Sequence, residues 1–163
     1  MHETLLIADS SPLIVLTKIG RVELLPKLAA RVVVPDAVWR EVVVNKPERF
    51  DSQELAGAAW LNVLPVQGAE ADALRAELDP GEAEAIALAN QYPGCVLLMD
   101  DRMGRREAAR RGVRVIGTLG LLRDARRCGL IPSLRTEIDR LLEAGHFLSP
   151  SLVDAALCSV GEA

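Results

Sequence analysis

The sequence predicts a single α/β domain in which helices cover both faces of a central, mostly parallel sheet. Strand-like and helix-like segments alternate along the chain, which is typical of parallel sheets built from strand–helix–strand units. The segments 5–8 and 95–99 are apolar at every position, as expected of strands that are buried on both faces. The chain has 163 residues, half of them hydrophobic, and can therefore form a sizeable core. We expect a three-layer α/β/α fold.

The order of the predicted elements follows from the apolar runs and from the residues that begin or end helices. Pro12 and Pro80 suit the first turn of a helix, and Gly20, Gly112 and Gly129 suit the position after a helix end. We expect residues 1–163 to form one domain, with the helices from about residue 133 as an appendage. Strands are predicted at 4–8, 31–34, 61–66, 96–99 and 113–116, and helices near 10–20, 22–29, 36–44, 52–60, 69–78, 80–91, 102–111, 118–128, 133–144 and 150–160.

The composition limits the classes of function. Residues 102–127 contain nine arginines and two acidic residues, whereas the whole chain has a net charge of −4. An arginine-rich segment beside an acidic remainder fits a protein that binds both a metal ion and a phosphate polymer, although solvated helix faces explain the pattern equally well. Five residues are aromatic, so base stacking is not expected to be a major means of binding.

The sequence also bears on where the protein works. The N-terminus lacks the pattern of a signal peptide, and no apolar run is long enough to span a membrane. Cys95, Cys128 and Cys158 are far apart in sequence and lack metal-ligand spacing, which favours a reducing compartment over a disulfide framework. A cytoplasmic protein that does not contact membranes is therefore predicted.

Acidic residues follow two predicted strands that are far apart in sequence. Asp9 comes directly after the first strand, and Asp100 and Asp101 come after the fourth. Ligands of open α/β sheets bind at the carboxyl ends of strands, where these side chains would meet and repel each other unless a cation binds. Asp9 also suits a turn or helix cap, and Asp101 suits the cap of the helix that begins at Arg102, which leaves Asp100 as the better ligand candidate of the pair.

Two glutamates are further candidates. Glu41 lies between apolar positions of the predicted helix 36–44, where a solvated glutamate is the ordinary interpretation. Glu82 stands three residues after Asp79, which is the spacing of a capping box. Glu84 points elsewhere, because residues two apart on a helix do not share a face.

Carboxylate oxygens are the preferred ligands of Mg²⁺ and Mn²⁺, and a two-metal site hydrolyses phosphodiesters without histidine. His2 and His146 are the only histidines, and neither has an evident nucleophile partner, which argues against a Ser–His hydrolase. The glycine patterns of P-loops and dinucleotide-binding domains are absent.

A receiver-like phosphoacceptor domain is a competing hypothesis, suggested by Asp100, Asp101 and Thr118. Such a domain needs a well-placed lysine, but every lysine of this chain precedes the central strand.

Several motifs, taken in order, resemble those of PIN-domain nucleases. An aspartate and a serine follow the first strand, a glutamate lies in the second motif, an alanine-rich helix forms the third, and the Asp100–Asp101 pair ends the fourth. Two later segments resemble a VapC-like branch of that family. The motifs are Leu6–Ile14, Val34–Val42, Gly81–Ala89 and Leu98–Asp101, and the later segments are Gly117–Leu122 and Gly129–Pro132.

The resemblance implies a Mg²⁺- or Mn²⁺-dependent endoribonuclease. Carried over to this chain, the catalytic and metal-binding acids are Asp9, Glu41, Glu82 and Asp100, with Asp101 as a further metal ligand. A glutamate stands where the third motif usually has an aspartate. We prefer Glu82 to Glu84 because it lies eighteen residues before Asp100, which matches the family's usual separation.

Partners follow from the arginines and from the resemblance. Arg102, Arg105 and Arg106 are predicted to face RNA phosphates beside the acidic site. The resemblance implies the toxin of a toxin–antitoxin pair, with a cognate antitoxin, and a homodimer. Apolar stripes on the last two helices either face the core or take part in such contacts. The alternative function is a PIN-like module that binds RNA or protein with little catalysis.

Overall fold

The protein, described by a computed structural model over residues 4–162, contains a five-stranded sheet in which every strand pair is parallel. The strand order is β3-β2-β1-β4-β5. Helices cover both faces of this sheet, so the predicted three-layer α/β/α fold is confirmed. Predictions that concern residues 1–3, including His2, lie outside the described residues. The strands are β1 (Leu5–Ala8), β2 (Arg31–Pro35), β3 (Leu61–Leu64), β4 (Val96–Leu98) and β5 (Arg114–Ile116).

The helices lie close to their predicted positions. Gly20 and Gly112 have positive φ angles of 66° and 75° just after the helices that they terminate, which glycine adopts without steric cost. Along residues 4–162, no helix is both long and apolar enough to cross a lipid bilayer. The helices are α1 (Ser10–Lys18), α2 (Leu24–Leu28), α3 (Asp36–Trp39) with a π-helical turn after it (Arg40–Val44), α4 (Phe50–Ala56), α5 (Ala69–Leu74), α6 (Pro80–Gln91), α7 (Arg102–Arg110), α8 (Thr118–Arg127), α9 (Leu134–Glu143) and α10 (Pro150–Cys158).

The central strands are completely buried, as their uninterrupted apolar runs predict. Leu6 and Ile7 on β1 and Leu97 and Leu98 on β4 each have 0% exposure. Successive strand residues point to opposite faces, so Leu6 and Leu98 join the core on one side, and Ile7 and Leu97 join the core on the other. Each such side chain contributes about 1.5–3 kcal/mol when fully buried. The two cores therefore fix the position of β1 beside β4.

The C-terminal helices share the core on the α1 face of the sheet. Leu134, Ile138 and Leu141 of α9 and Leu157 of α10 are buried in the same cluster as Leu6. The helices from residue 134 onward thus complete one core instead of standing apart from the domain as an appendage. The four buried residues show that at least part of each apolar stripe faces the core.

Two carboxylates tie the C-terminal helices in place. Glu137 is 1% exposed and accepts hydrogen bonds from Arg21 (2.8 Å) and Arg140 (2.9 Å). The bond from Arg21 joins α9 to the turn between α1 and α2. Glu162 accepts hydrogen bonds from the backbone N–H groups of Leu134 (3.0 Å) and Arg135 (2.9 Å) at the start of α9. These bonds, with one from the Arg126 guanidinium, lower the pKa of Glu162 to about 2.

The strand order creates a topological switch point between β1 and β4. The chain passes from β1 outward to β2 and β3 and then returns to β4 on the other side of β1. Ala8 lies opposite Leu98, and the N–H of Asp9 donates to the carbonyl of Leu98 (3.0 Å). Asp9 and Asp100 therefore emerge from neighbouring strands where ligands of open α/β sheets bind.

Candidate active site

Asp9 forms the buried centre of the site. It is 4% exposed at the end of β1, and its pKa is raised to about 7. Burial is the main cause, because it penalises the charged carboxylate. The backbone N–H of Ser10 opposes the shift, and the negative charges of Glu82, Glu41 and Asp100 add to it. All four predicted acids therefore lie close enough to influence one another electrostatically.

Glu41 is held toward Asp9 by Ser10. It lies in the π-helical turn after α3, where the N–H of Asn45 donates to the carbonyl of Arg40, five residues earlier (2.8 Å). The Oγ of Ser10 donates to Glu41 Oε2 at 2.7 Å. Turns of this kind are rare and are frequent at functional sites. The contact fixes the glutamate beside the start of α1.

Gly81 leaves open the space between Asp9 and Glu41. A β-carbon at this position would lie 3.2 Å from Glu41 Oε2 and 3.5 Å from Asp9 Oδ1. It would also lie 3.3 Å from a methyl group of Val38. The absence of a side chain at the start of α6 thus allows the two carboxyl groups to face the same small space.

Asp100 is oriented by the start of α8. The backbone N–H of Thr118 donates to Asp100 Oδ1 at 2.7 Å, and the Thr118 hydroxyl donates to Oδ2 at 2.6 Å. His146 Nε2 lies 3.8 Å from the same Oδ2. Asp101 has a different role, because its Oδ2 accepts a hydrogen bond from the N–H of Gly104 (2.8 Å) and caps α7. The two adjacent aspartates therefore have different contacts: Asp101 caps α7, as its position before Arg102 predicts, and Asp100 does not.

Glu82 and Glu84 lie on different sides of α6 and have different surroundings. The pKa of Glu82 is raised mainly by burial, and next by the charges of Asp101 and Asp79, while a backbone hydrogen bond at Asp79 opposes the shift. The charge of Glu82 also raises the pKa of Asp9, so Glu82 lies near the acidic site. Glu84 is buried and accepts hydrogen bonds from the Arg75 guanidinium and from the N–H of Ala37 (2.9 Å). Glu84 thus links α6 to the start of α3 and is already fully engaged in the structure.

The predicted RNA-binding arginines point in different directions. The guanidinium of Arg105 lies against Gly117, close to Asp100, and borders a groove there. Arg106 instead borders a different, smaller cavity, which Glu77 and Leu78 also line. Arg102 is exposed. Of the ion pairs formed within residues 4–162, none involves these three arginines, whereas Arg110 and Arg111 are paired with acidic residues.

The donors suit a hard divalent cation in type. They are carboxylate oxygens, with the hydroxyls of Ser10 and Thr118 beside them, which match the preferences of Mg²⁺ and Mn²⁺. Considering residues 4–162, no three His, Cys, Asp or Glu side chains are drawn together tightly enough to form a metal cage. The acids thus form a loose cluster, in which Asp9 and Glu41 face the space beside Gly81.

Two residues of the site carry little signal in the sequence. His146 lies in the connection between α9 and α10, without periodicity or a neighbouring acid that would connect it with Asp100. Thr118 follows a short strand, and its role as a support for Asp100 emerges only from the pairing of β4 with β5. Both are brought to the site by tertiary packing.

A parallel sheet with a carboxylate cluster at its switch point defines an α/β domain suited to cation-assisted chemistry. A family model described as PIN domain matches residues 5–162, and the chain therefore belongs to the PIN-domain family. PIN domains are typically nucleases and generally use divalent metals, so the family indicates a nuclease-type hydrolase.

The remaining comparisons concern single proteins. A PilT N-terminus domain protein from the hyperthermophilic archaeon Sulfolobus solfataricus P2 has a solved structure that is similar over 75% of this chain and 93% of that chain. The two share 14% sequence identity with a TM-score of 0.49. No curated protein is significantly similar to the sequence.

Proposed function

We propose that the protein is a Mg²⁺- or Mn²⁺-dependent endoribonuclease that hydrolyses RNA phosphodiester bonds. The observation that carries this proposal is the meeting of Asp9 and Asp100 at the ends of adjacent strands, with Glu41 and Glu82 close enough to raise the pKa of Asp9. Membership of the PIN-domain family supports phosphodiester hydrolysis. The resemblance of Gly117–Leu122 to VapC-like proteins supports RNA as the substrate.

Each acidic residue has a support that suits it to its role. Asp9, Glu41, Glu82 and Asp100 would hold the metal, which when bound supplies an activated water and positive charge for phosphodiester hydrolysis. Ser10 keeps the Glu41 carboxylate directed toward Asp9, and the two bonds from Thr118 fix both oxygens of Asp100. Gly81 keeps the space between the carboxylates open.

Positive charge stands next to the acids. The Arg105 guanidinium near Asp100 is well placed to bind a phosphate of the substrate, because arginine pairs readily with phosphate oxygens. Asp101, which caps α7, holds the start of that helix at the site and is the weaker candidate for a metal ligand. The acids are thus assigned to turnover and the arginine to substrate binding.

The biological role that we propose is that of a toxin, neutralised by a cognate antitoxin protein, in a cytoplasmic homodimer. The VapC-like segments around α8 support this role. Leu142, on α9, remains substantially exposed and suits contacts between proteins. Light scattering of the purified chain, alone and with the product of a neighbouring small reading frame, tests both partners.

A cleavage assay with matched variants tests the nuclease. Wild-type protein should cleave single-stranded RNA with Mg²⁺ or Mn²⁺ and lose activity in chelator. Asp9→Asn and Asp100→Asn should abolish cleavage, whereas Asp139→Asn, an exposed change on α9, should leave it intact. Calorimetric titration with Mg²⁺ provides a readout independent of activity, and binding should weaken in the first two variants only. RNA binding without cleavage would favour the alternative, a binding module.

A further inference from the structure

A groove opens beside the acidic site, and Asp100 is the one of the four acids that lines it. It has a volume of about 390 Å³ and runs between the start of α8 and the segment that joins α9 to α10. Gly117 and Leu119 form part of one wall, and Leu152 and Ala156 form part of the other. This volume lies within the range of about 300–1,000 Å³ that is usual for small-ligand sites.

The charges in the groove favour an anionic ligand. Arg105 lines it next to Asp100, and Arg123 lines it farther along α8. Arg123 is paired with its neighbour Asp124 at 3.0 Å and remains partly exposed. His146 also lines the groove, 3.8 Å from Asp100 Oδ2. The lining also includes the Asp100 carboxylate and several apolar residues. The two guanidinium groups suit phosphates, and the apolar residues suit an apolar, planar part of the same ligand.

Phe147 provides a surface for that planar part. It lines the groove and is 86% exposed, although a phenyl group of this size is normally buried. The aromatic content of the chain is low, so this exposed ring next to the acidic site is a specific feature. Aromatic rings bind unpaired nucleobases by stacking, whichever base is present.

We infer that this groove is a nucleotide subsite, in which Phe147 stacks on a base of single-stranded RNA while Arg105 and Arg123 bind the adjoining phosphates. The inference rests on the proposed function for its substrate class. The low number of aromatic residues predicts little base stacking, and this subsite would supply one such contact. Arg105 and Asp100 both lie beside Gly117 at the edge of this groove, so a nucleotide bound there would have its next phosphodiester bond near the acids.

Binding of oligo(A), oligo(U) and an abasic ribose–phosphate oligomer tests the subsite, in an Asp9→Asn background that keeps RNA intact. Phe147→Ala should weaken binding of both base-bearing probes about tenfold, which is within the usual value of a single base stack. The substitution should not change the affinity for the abasic probe or the slope of the salt dependence, because no phosphate contact is lost. Phe147→Trp should restore affinity.

Matched controls separate the subsite from general effects. Phe50→Ala removes the other phenylalanine, which is 74% exposed and does not line the groove, and should not change binding. Arg123→Gln should lower the salt slope by about 0.7, as expected for one phosphate contact on a single strand. Arg127→Gln, on the same helix but outside the groove, should not. These changes are at exposed or partly exposed positions, so the variants should fold normally.

Three results would overturn the inference: unchanged affinity in Phe147→Ala, an equal loss for the abasic probe, or an equal loss in Phe50→Ala. Unchanged RNA binding with loss of a homodimer, or of assembly with a partner protein, would show that Phe147 serves a protein interface instead. Failure of the wild-type protein to cleave RNA would refute the proposed nuclease, but the stacking result would still decide whether the groove binds a base.

Discussion

Replacing Asp9 with asparagine is expected to stabilise the metal-free protein while removing its response to divalent cations. The pKa of Asp9 rises from 3.8 to about 7 in the folded chain, chiefly because the carboxyl group is buried. An acid with a higher pKa in the folded chain makes unfolding easier as the pH rises, because the unfolded chain releases its proton first. Stability should therefore fall between pH 3.8 and about 7 and stay low above that range.

The size of the effect follows from the two pKa values. At about 1.4 kcal/mol per pH unit, the buried charge of Asp9 lowers the free energy of unfolding by at most about 4 kcal/mol at about pH 8. Asparagine has nearly the same shape and stays neutral, so Asp9→Asn should recover much of this energy. For a chain of this size, the melting temperature should rise by about 10 °C in chelator.

Thermal melts of both proteins across the pH range, with and without Mg²⁺, provide the measurement. The difference between wild type and variant should vanish below about pH 4, where both side chains are neutral. Added Mg²⁺ should stabilise the wild type by mass action and reverse the order of the two proteins at high pH. A variant that is less stable than wild type in chelator at about pH 8 would refute this reasoning, as would equal stabilisation of both proteins by Mg²⁺.

The two glutamates of α6 should behave differently, as urea unfolding and RNA cleavage measured together will show. Glu82→Gln should abolish cleavage at nearly wild-type stability, whereas Glu84→Gln should destabilise the fold by about 2 kcal/mol, since it weakens a largely buried ion pair; the reverse pattern would contradict the site. Arg105→Ala should lower the slope of the salt dependence of RNA binding by about 0.7, whereas Arg106→Ala should leave it unchanged. The slopes can be measured by fluorescence anisotropy at several salt concentrations. Equal effects of the two substitutions would contradict the different roles assigned to these arginines. Glu162→Gln should cost about 1 kcal/mol, a typical value for a helix cap. Because the pKa of Glu162 is lowered to about 2, this loss should be complete above its ordinary pKa of 4.5 and shrink as the pH falls toward 2, in melts across that range.

Much of the fold can be predicted from local patterns because few alternatives satisfy them. A run such as Val96–Leu98 has no polar position to leave in water, so it must be covered on both faces, which requires a sheet between two layers of helices. Glycines such as Gly112 mark helix ends because other residues rarely adopt their φ angles. The packing of α9 into the core is harder to predict, since an apolar helix stripe fits a core or an interface equally well.

The acidic residues could be found, but their supports could not. Asp9 and Asp100 stand at strand ends, where the chain itself indicates a shared edge of the sheet. The π-helical turn that positions Glu41 has no sequence signature distinguishing it from the end of an ordinary helix. Arg105 and Arg106 are adjacent in sequence and hence about 100° apart around α7, which separates their environments. His146 and Phe147 reach the site only through the packing of α9 and α10.

Because β1 lies between β2 and β4, a growing chain completes one side of the sheet long before the other. During synthesis, β1, β2 and β3 leave the ribosome first and are able to pair while Asp100 has yet to be made. The edge of β1 that receives β4 has no partner during this interval. A ribonuclease built in this order would emerge beside ribosomal RNA with Asp9 and Glu41 present but with Asp100 still missing. Its own topology would delay activity until β4 has been added to the sheet.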